Sequence, residues 1–221
     1  MRQGMQTRST IVYLLAGLGI VLALNCADPV LASGMTPVVA EAPVVEDGLY
    51  HVDSQRTQVV FSVSCLSISQ YHGMFSGVSG SLQLDSTHPE QSHVALQLPL
   101  HSLTTTSGSV AETLWSEDWL DARKYPDARF VSTNVVSEGP SLAIVAGRLT
   151  LHGVTRPMVL HVHFVGAGEN PMDHAYTVGF EAQGTLQRSA FGIKTAMTAV
   201  GDDVTLNLTG VFEKGPSEKP E

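Results

Sequence analysis

Apolar and polar residues alternate with period two over most of the chain, the pattern of strands with one buried face. Val59, Phe61, Val63 and Cys65 share one face against Val60, Ser62 and Ser64. Val78, Gly80, Leu82 and Leu84 repeat the pattern, as do Val94, Leu96, Leu98 and Leu100. Phe130, Ser132 and Asn134 oppose Val131, Thr133 and Val135, and Leu142, Ile144 and Ala146 share a face before Leu149 and Leu151. Leu160, Val162 and Phe164 follow, then Tyr176, Val178, Phe180 and Ala182, and finally Val204, Leu206 and Leu208. Many short strands of this kind predict an all-β barrel or sandwich. Gly153 and Pro157 are expected to form the turn between the strands around Leu149 and Leu160, because Gly tolerates positive φ and Pro lacks a ladder donor. Pro99 predicts an edge or bulge at the end of its strand.

One segment departs from the alternation. Between Thr104 and Tyr125 the residues Val110, Leu114 and Leu120, with Trp115 and Trp119, recur at helical spacings. A short helical insertion near 110–122 is predicted, serving as a lid or plug between strands. Trp115 and Trp119 sit four apart and read first as core packing, compatible with closing a cavity.

The ends of the chain carry different signals. Arg2 and Arg8 precede the apolar run Ile11 to Leu24, which is followed by Val30-Leu31-Ala32. This is the layout of a secretory signal cleaved after Ala32; the run is shorter than the roughly 20 residues of a spanning helix. An uncleaved anchor and a lipoprotein acylated at Cys26 are the alternatives, the latter opposed by Asn25 where a small residue is usual. Residues 33–47 read as a flexible arm, 48–213 as the folded domain and 214–221 as a disordered tail.

Composition narrows the function. The formal charge is −9, and cleavage after Ala32 makes it one unit more negative by removing Arg2, Arg8 and Asp28. Nucleic acid and anionic lipid surfaces repel such a chain. Only two cysteines occur, and cleavage leaves Cys65 alone, which excludes an intrachain disulfide and a cysteine-based metal site. About 190 residues suffice to build a core without either.

No catalytic constellation is legible. Ser76-Gly77-Val78-Ser79-Gly80 does not match the nucleophile elbow of serine hydrolases and reads as a glycine-rich strand start. No phosphate or dinucleotide loop occurs. His161 and His163 share a strand face and are the best metal candidate. Parity puts them opposite Leu160, Val162 and Phe164, on the solvent side, so no metal site is assigned. Cys65, on the apolar face, reads as an inert buried thiol. The acids Glu112, Glu117, Asp118 and Asp121 read as capping and solubility groups. What remains is a set of apolar strand faces. A closed barrel of about eight strands can enclose one small ligand, and an apolar interior selects a hydrocarbon-like guest. A barrel filled by its own side chains is the alternative.

Five segments, in order, carry a resemblance. They are Tyr50-His-Val-Asp53 with Phe61-Ser-Val63; Gly73-Met-Phe75 leading to Asp85; and Leu114-Trp-Ser-Glu-Asp-Trp-Leu-Asp121 with Tyr125-Pro126 and Phe130. Gly147-Arg-Leu-Thr-Leu-His-Gly-Val-Thr-Arg-Pro157 and Arg188-Ser-Ala-Phe-Gly-Ile193 before Val200-Gly-Asp202 complete the set. Together they resemble the YceI-like family of bacterial periplasmic proteins, over roughly Gly48 to Glu213. The resemblance implies a lipocalin-like, extended closed antiparallel barrel whose elongated apolar cavity binds a polyisoprenoid or another long-chain amphiphile. It also implies a periplasmic location, and homodimers occur in the family; no catalytic residue and no cofactor is assigned. Two departures stand out: Cys65 replaces a histidine, and Val110-Ala-Glu-Thr113 replaces the Arg-Asp-x-His that usually precedes the leucine. The ligand head group is therefore not carried over.

The function expected is a carrier or scavenger of an isoprenoid or fatty-acyl lipid in the periplasm. The residues expected to line its cavity are Phe61, Val63, Cys65, Phe75, Trp119 and Phe130, with Leu149, Leu151, Val162, Phe164, Phe180 and Leu206. Arg148, Arg156 and Arg188 are weaker candidates; Arg188, opening the Arg-Ser-Ala-Phe-Gly segment, reads as structural. An enzyme acting on a lipid or quinone-like substrate through Cys65 or a histidine, and an interaction module with a filled barrel, are the rivals.

Overall fold

The computed structural model describes residues 45–215. The secretory-signal reading of 1–32, most of the arm and the tail beyond 215 lie outside the described residues.

Eleven strands form in chain order: β1 (Gly48–Val52), β2 (Gln58–Cys65), β3 (Ser69–Phe75), β4 (Ser79–Leu84), β5 (His93–Pro99) and β6 (Thr104–Thr105). After one helix, α1 (Gly108–Trp115), come β7 (Asp127–Ser137), β8 (Leu142–Leu151), β9 (Val154–Glu169), β10 (Tyr176–Gln187) and β11 (Val200–Lys214). Every pairing is antiparallel, in the order β1-β4-β5-β7-β8-β9-β10-β11, and β11 returns to β1 through Tyr50↔Lys214 and Val52↔Phe212. The eight-stranded closed barrel that the resemblance implies is thus present, and the alternative of a sandwich, which the alternation left open, is not.

β11 is longer than β1, and its remaining edge is taken by β2, with Leu208 opposite Val59 and Leu206 opposite Phe61. β3 extends β2, and two-residue β6 extends β3. The break between β1 and β2 is held by the Asp53 carboxylate, which accepts the Gln55 and Arg56 amides. Thr57 replaces the missing ladder bonds by exchanging hydrogen bonds with the Val211 backbone. β1 and β3 were legible only as motif segments, not as alternating strands.

Three strand-level expectations need correction. In β7 the pairing slips between Ser132 and Asn134, leaving Thr133 as a bulge. One extra residue inverts the side-chain parity, so Val135 is buried and Asn134 exposed. Opposite it, β8 points Ala143, Val145, Gly147, Leu149 and Leu151 inward; Leu142, Ile144 and Ala146 take the outer face, and Leu142 is half exposed. Gly147 is needed there, because a Cβ would sit 2.4 Å from the Phe130 ring. Finally, the β8–β9 turn is His152-Gly153, both at positive φ, while Pro157 lies within β9 opposite Arg148.

The helical expectation is met in shorter form. α1 ends at Trp115, and Trp119 sits in the turns that follow, so the two tryptophans do not share a helix face. Trp115 donates its indole N–H to the Leu100 carbonyl, as a buried indole requires. Pro99 is the last residue of β5, paired with Asp127, and the chain then leaves the sheet through a 3₁₀ turn at Leu100–Ser102. The insertion from Leu100 to Pro126 therefore sits at one end of the barrel, with the Leu151–Val154 turn, the Gln187 end of β10 and the Val200 end of β11. We call this the helical end.

Candidate functional site

The barrel interior is a stack of three apolar compartments. At the helical end a cavity of about 140 Å³ is walled by strand residues Phe61, Val63, Phe75, Leu149 and Leu151. Its remaining wall comes from the insertion, through Leu100, Leu103, Leu114, Trp119 and Leu120. The middle compartment, about 60 Å³, lies between Val59, Val78 and Met158. The far compartment, about 160 Å³, is lined by strands through Leu82, Val135, Val145, Leu160, Phe180 and Phe212. The middle compartment shares Ala128, Leu149 and Leu206 with the helical end, and Phe130, Leu160 and Leu208 with the far end. The three form one elongated apolar tract, lined along β11 from Val200 to Phe212. Allowing for the slip between Val200 and Val204, where four residues of β11 span two of β2, that run covers about 25 Å of barrel axis at about 3.3 Å per residue and a strand tilt of about 40°.

Arg188 is the one charged residue lining the helical-end compartment. It is 4% exposed, and a buried guanidinium must be fully hydrogen-bonded. Its Nε donates to the Gly201 carbonyl at 2.8 Å, Nη1 to Ile193 and Thr195, and Nη2 to Val200. Its Cζ lies 5.4 Å from the Trp119 ring centre, within cation–π range. Burial pulls the guanidinium below its ordinary pKa, partly opposed by the Asp202 charge. The Asp202 carboxylate accepts the Ser189 amide and hydroxyl, and these bonds lower its pKa. The Arg188–Ile193 and Val200–Asp202 segments are thus two halves of one clasp. Thr195 ties the same loop to the insertion by donating to the Asp118 carbonyl.

Most of the residues expected to line the cavity are placed along this tract. Phe61, Val63, Phe75, Trp119, Leu149 and Leu151 line the helical end, Phe130, Val162 and Phe180 the far end, and Leu206 the junction with the middle. Cys65 and Phe164 do not. Cys65 ends β2 opposite Val200, where β11 slips register, and is half-buried beyond the cavity wall. Phe164 precedes the β9 bulge and packs its ring 5.5 Å from Phe180, in the cluster of Tyr50, Val178 and Phe212. Leu100, Leu103, Ile193 and Val200 were missed. Leu103, Ile193 and Val200 sit in turns or at a strand end, where periodicity gives no signal; Leu100 continued the alternation of β5 but was not placed in the cavity wall. Arg148 lies on the outer side of β8, and Arg156 donates to the Ala190 carbonyl.

The Tyr71 hydroxyl is a buried side-chain oxygen with no hydrogen-bond partner among the described residues. Tyr71 faces Val63 across β2–β3, and cross-strand partners project to the same side, here the inner one.

His161 and His163 are exposed along an open hollow of about 500 Å³ of mixed lining, with Glu181, Gln183 and Asn207 beside Leu142 and Leu208. His163 Nδ1 is 3.9 Å from a Glu181 carboxylate oxygen, with both side chains more than half exposed. Though larger than the inner compartments, this hollow is a shallow outer surface. Among the described residues no group of three or more His, Cys, Asp or Glu is placed to hold a metal, and no helix is long and apolar enough to cross a membrane.

A closed antiparallel barrel around an elongated apolar tract, capped at one end by a helical insertion, is a binding-protein architecture of lipocalin-like build. Within that class, residues 50–212 match the model of the YceI-like domain. A UPF0312 protein of Pseudomonas savastanoi pv. phaseolicola is 37% identical over 185 residues, covering 83% of this chain and 96% of the relative. One from Pseudomonas putida is 35% identical over 193 residues, covering 87% and 96%. The chain belongs to the YceI-like family. Among solved structures, BcnA of Burkholderia cenocepacia superposes with a TM-score of 0.66 at 23% identity, over 72% of this chain and 98% of that one. The YceI protein of Campylobacter jejuni gives 0.62 at 25% identity, over 67% and 87%. A polyisoprenoid binding domain from Saccharophagus degradans gives 0.55 at 14% identity, over 77% and 100%; at that identity the likeness is one of fold.

Proposed function

We propose that the protein is a non-catalytic carrier or scavenger of a long-chain isoprenoid, or an amphiphilic lipid of similar length, held in the barrel. The observation that carries this reading is the continuous apolar tract. Its length of about 25 Å exceeds the depth of one leaflet's hydrocarbon, about 15 Å. A tract of that length suits a polyprenyl chain better than one short acyl tail. Removing such a chain from water gains roughly 25 cal/mol per Å² of apolar surface, so the walls need contribute no polar contacts to hold it. The polyisoprenoid binding named for the Saccharophagus degradans domain is in keeping with this cavity.

The expected site of action is the periplasm, supported by the basic and apolar N-terminal pattern ending at Ala32. N-terminal sequencing of the protein from a periplasmic extract should begin at Ser33. Native mass spectrometry after gentle purification tests the carrier reading itself. A co-purifying long-chain lipid, or stoichiometric uptake of a pyrene-labelled polyprenol, is the expected result. Absence of both a co-purifying lipid and probe uptake would sink it.

A further inference from the structure

The tip of the β2–β3 hairpin has the wrong surface for a protein that meets only water. Leu66 is 60% exposed and Ile68 is 84% exposed. Leu66 and Ser67 both stand at positive φ, 53° and 56°, a conformation that Gly or Asn adopts with less strain. The strained tip therefore presents two large aliphatic side chains where small or polar residues are the rule for turns.

The tip does not stand alone. The Leu66 amide donates to the Ala199 carbonyl at 2.6 Å, joining it to the loop that carries Met197, itself 42% exposed. From Val63 to Tyr71 and from Thr195 to Gly201 the chain contains no charged residue, only apolar side chains, hydroxyls, one glutamine and one glycine. Both segments reach the mouth of the apolar tract, since Val63 and Val200 line the helical-end compartment and Cys65 pairs with Val200. The other end of the barrel differs. Its exposed Met172 stands in a loop with Glu169, Asp173 and His174, where the His174 ring is hydrogen-bonded to the Glu169 carboxylate.

We infer that these two uncharged loops form a docking surface for a neutral lipid bilayer, through which the lipid passes into the helical end of the tract. The inference rests on the proposed lipid carriage and adds the partner and the end used. A contiguous exposed apolar patch marks an interaction site, and this one continues into a cavity whose contents come from a membrane. Charge selects the kind of surface. The neighbouring insertion carries Glu112, Glu117, Asp118 and Asp121 against Arg123 and Lys124, and the chain as a whole is −9. Exposed Lys194 flanks the second loop on one side and Asp202 and Asp203 on the other, so no basic cluster draws anionic headgroups, and a zwitterionic surface entered by Leu66, Ile68 and Met197 fits.

The two tryptophans of the chain, Trp115 and Trp119, both lie in the insertion at this end. The full chain and its Leu66→Ser/Ile68→Ser variant are mixed with phosphatidylcholine vesicles brominated on their acyl chains, and tryptophan quenching is read. Quenching is expected for the parent and should vanish when vesicles are removed. For the variant, vesicle affinity read this way should fall about tenfold or more, the loss from withdrawing two aliphatic side chains from hydrocarbon. Uptake of a pyrene-labelled polyprenol from detergent micelles should be equal in the two, while uptake from vesicles slows in the variant. Equal quenching and equal vesicle uptake would overturn the docking surface and leave the carrier standing. So would a parent that is dimeric and unquenched beside a monomeric variant, which assigns the tip to a second copy. If the parent takes up no probe even from micelles, carriage fails and the docking surface with it.

Discussion

The two ends of the apolar tract do the same thing with different materials. The far compartment is walled almost wholly by strands, with Phe180 and Phe212 meeting edge to face at 5.9 Å between ring centres. Its shape follows from ring closure and needs no polar device. The helical-end compartment takes about a third of its wall from outside the strands, with Leu100, Leu103, Trp119 and Ile193 coming from turns. Turns have backbone groups that no ladder satisfies. There a buried arginine takes over, with its guanidinium donating to four carbonyls between Ile193 and Gly201. An apolar wall can be built from irregular chain, provided one polar residue satisfies the backbone behind it.

The sharpest break of this comparison is Arg188→Met. It should cost about 3 kcal/mol or more in urea unfolding, because the carbonyls it served are left buried and unpaired. Loss of the near-ultraviolet signal of the tryptophans ahead of global unfolding would localise the damage to the helical end. No strand-wall substitution of equal volume at the far end should do this.

Blocking the tract separates its halves next. Ala182→Trp at the far end should abolish uptake of a long polyprenol probe yet leave a short-chain probe bound at the helical end. Ala128→Trp, at the junction with the middle compartment, should impair both probes. Each overpacked variant should lose about 1–3 kcal/mol of stability. Equal effects of Ala182→Trp on long and short probes would mean that the compartments do not act as one tract.

Asp202 gives a smaller effect with a defined sign. Its folded pKa lies below the ordinary 3.8 because of the Ser189 hydrogen bonds. The unfolded chain therefore binds this proton first, and the stability it contributes is present above that value and lost as pH falls through the folded pKa. Asp202→Asn should flatten the acid limb of a stability-versus-pH curve, read by chemical denaturation, and leave the far end unaffected. Cys65→Ser should have the smallest effect. The half-buried thiol lies outside the cavity wall, so stability should change by under about 1 kcal/mol and probe uptake should not change. Loss of function with uptake intact would revive thiol chemistry.

Period-two alternation was enough to predict an all-β barrel or sandwich, since a one-sided apolar strand must bury that side; the choice of a closed barrel came from the family resemblance, and closure itself rests on the pairing of β11 with β1. It also pointed to most of the tract's wall, from Phe61 and Val63 to Leu206. Where one extra residue interrupts the period, local pattern misled. Nothing near Thr133 announces a bulge, yet that bulge decides that Val135 faces inward and Asn134 outward. The slip in β11 likewise leaves Cys65 beyond the wall that its neighbours form. Bulges are settled by how paired strands twist and close, not by either strand alone. The same holds for the helical end. Sequence marked Arg188 as structural and set the insertion apart, but only the tertiary structure brought Arg188, Trp119 and the carbonyls of residues 193–201 together. Each of those contacts joins segments that no local period relates. The container was written in the alternation; its closure at the helical end was decided by long-range hydrogen bonds.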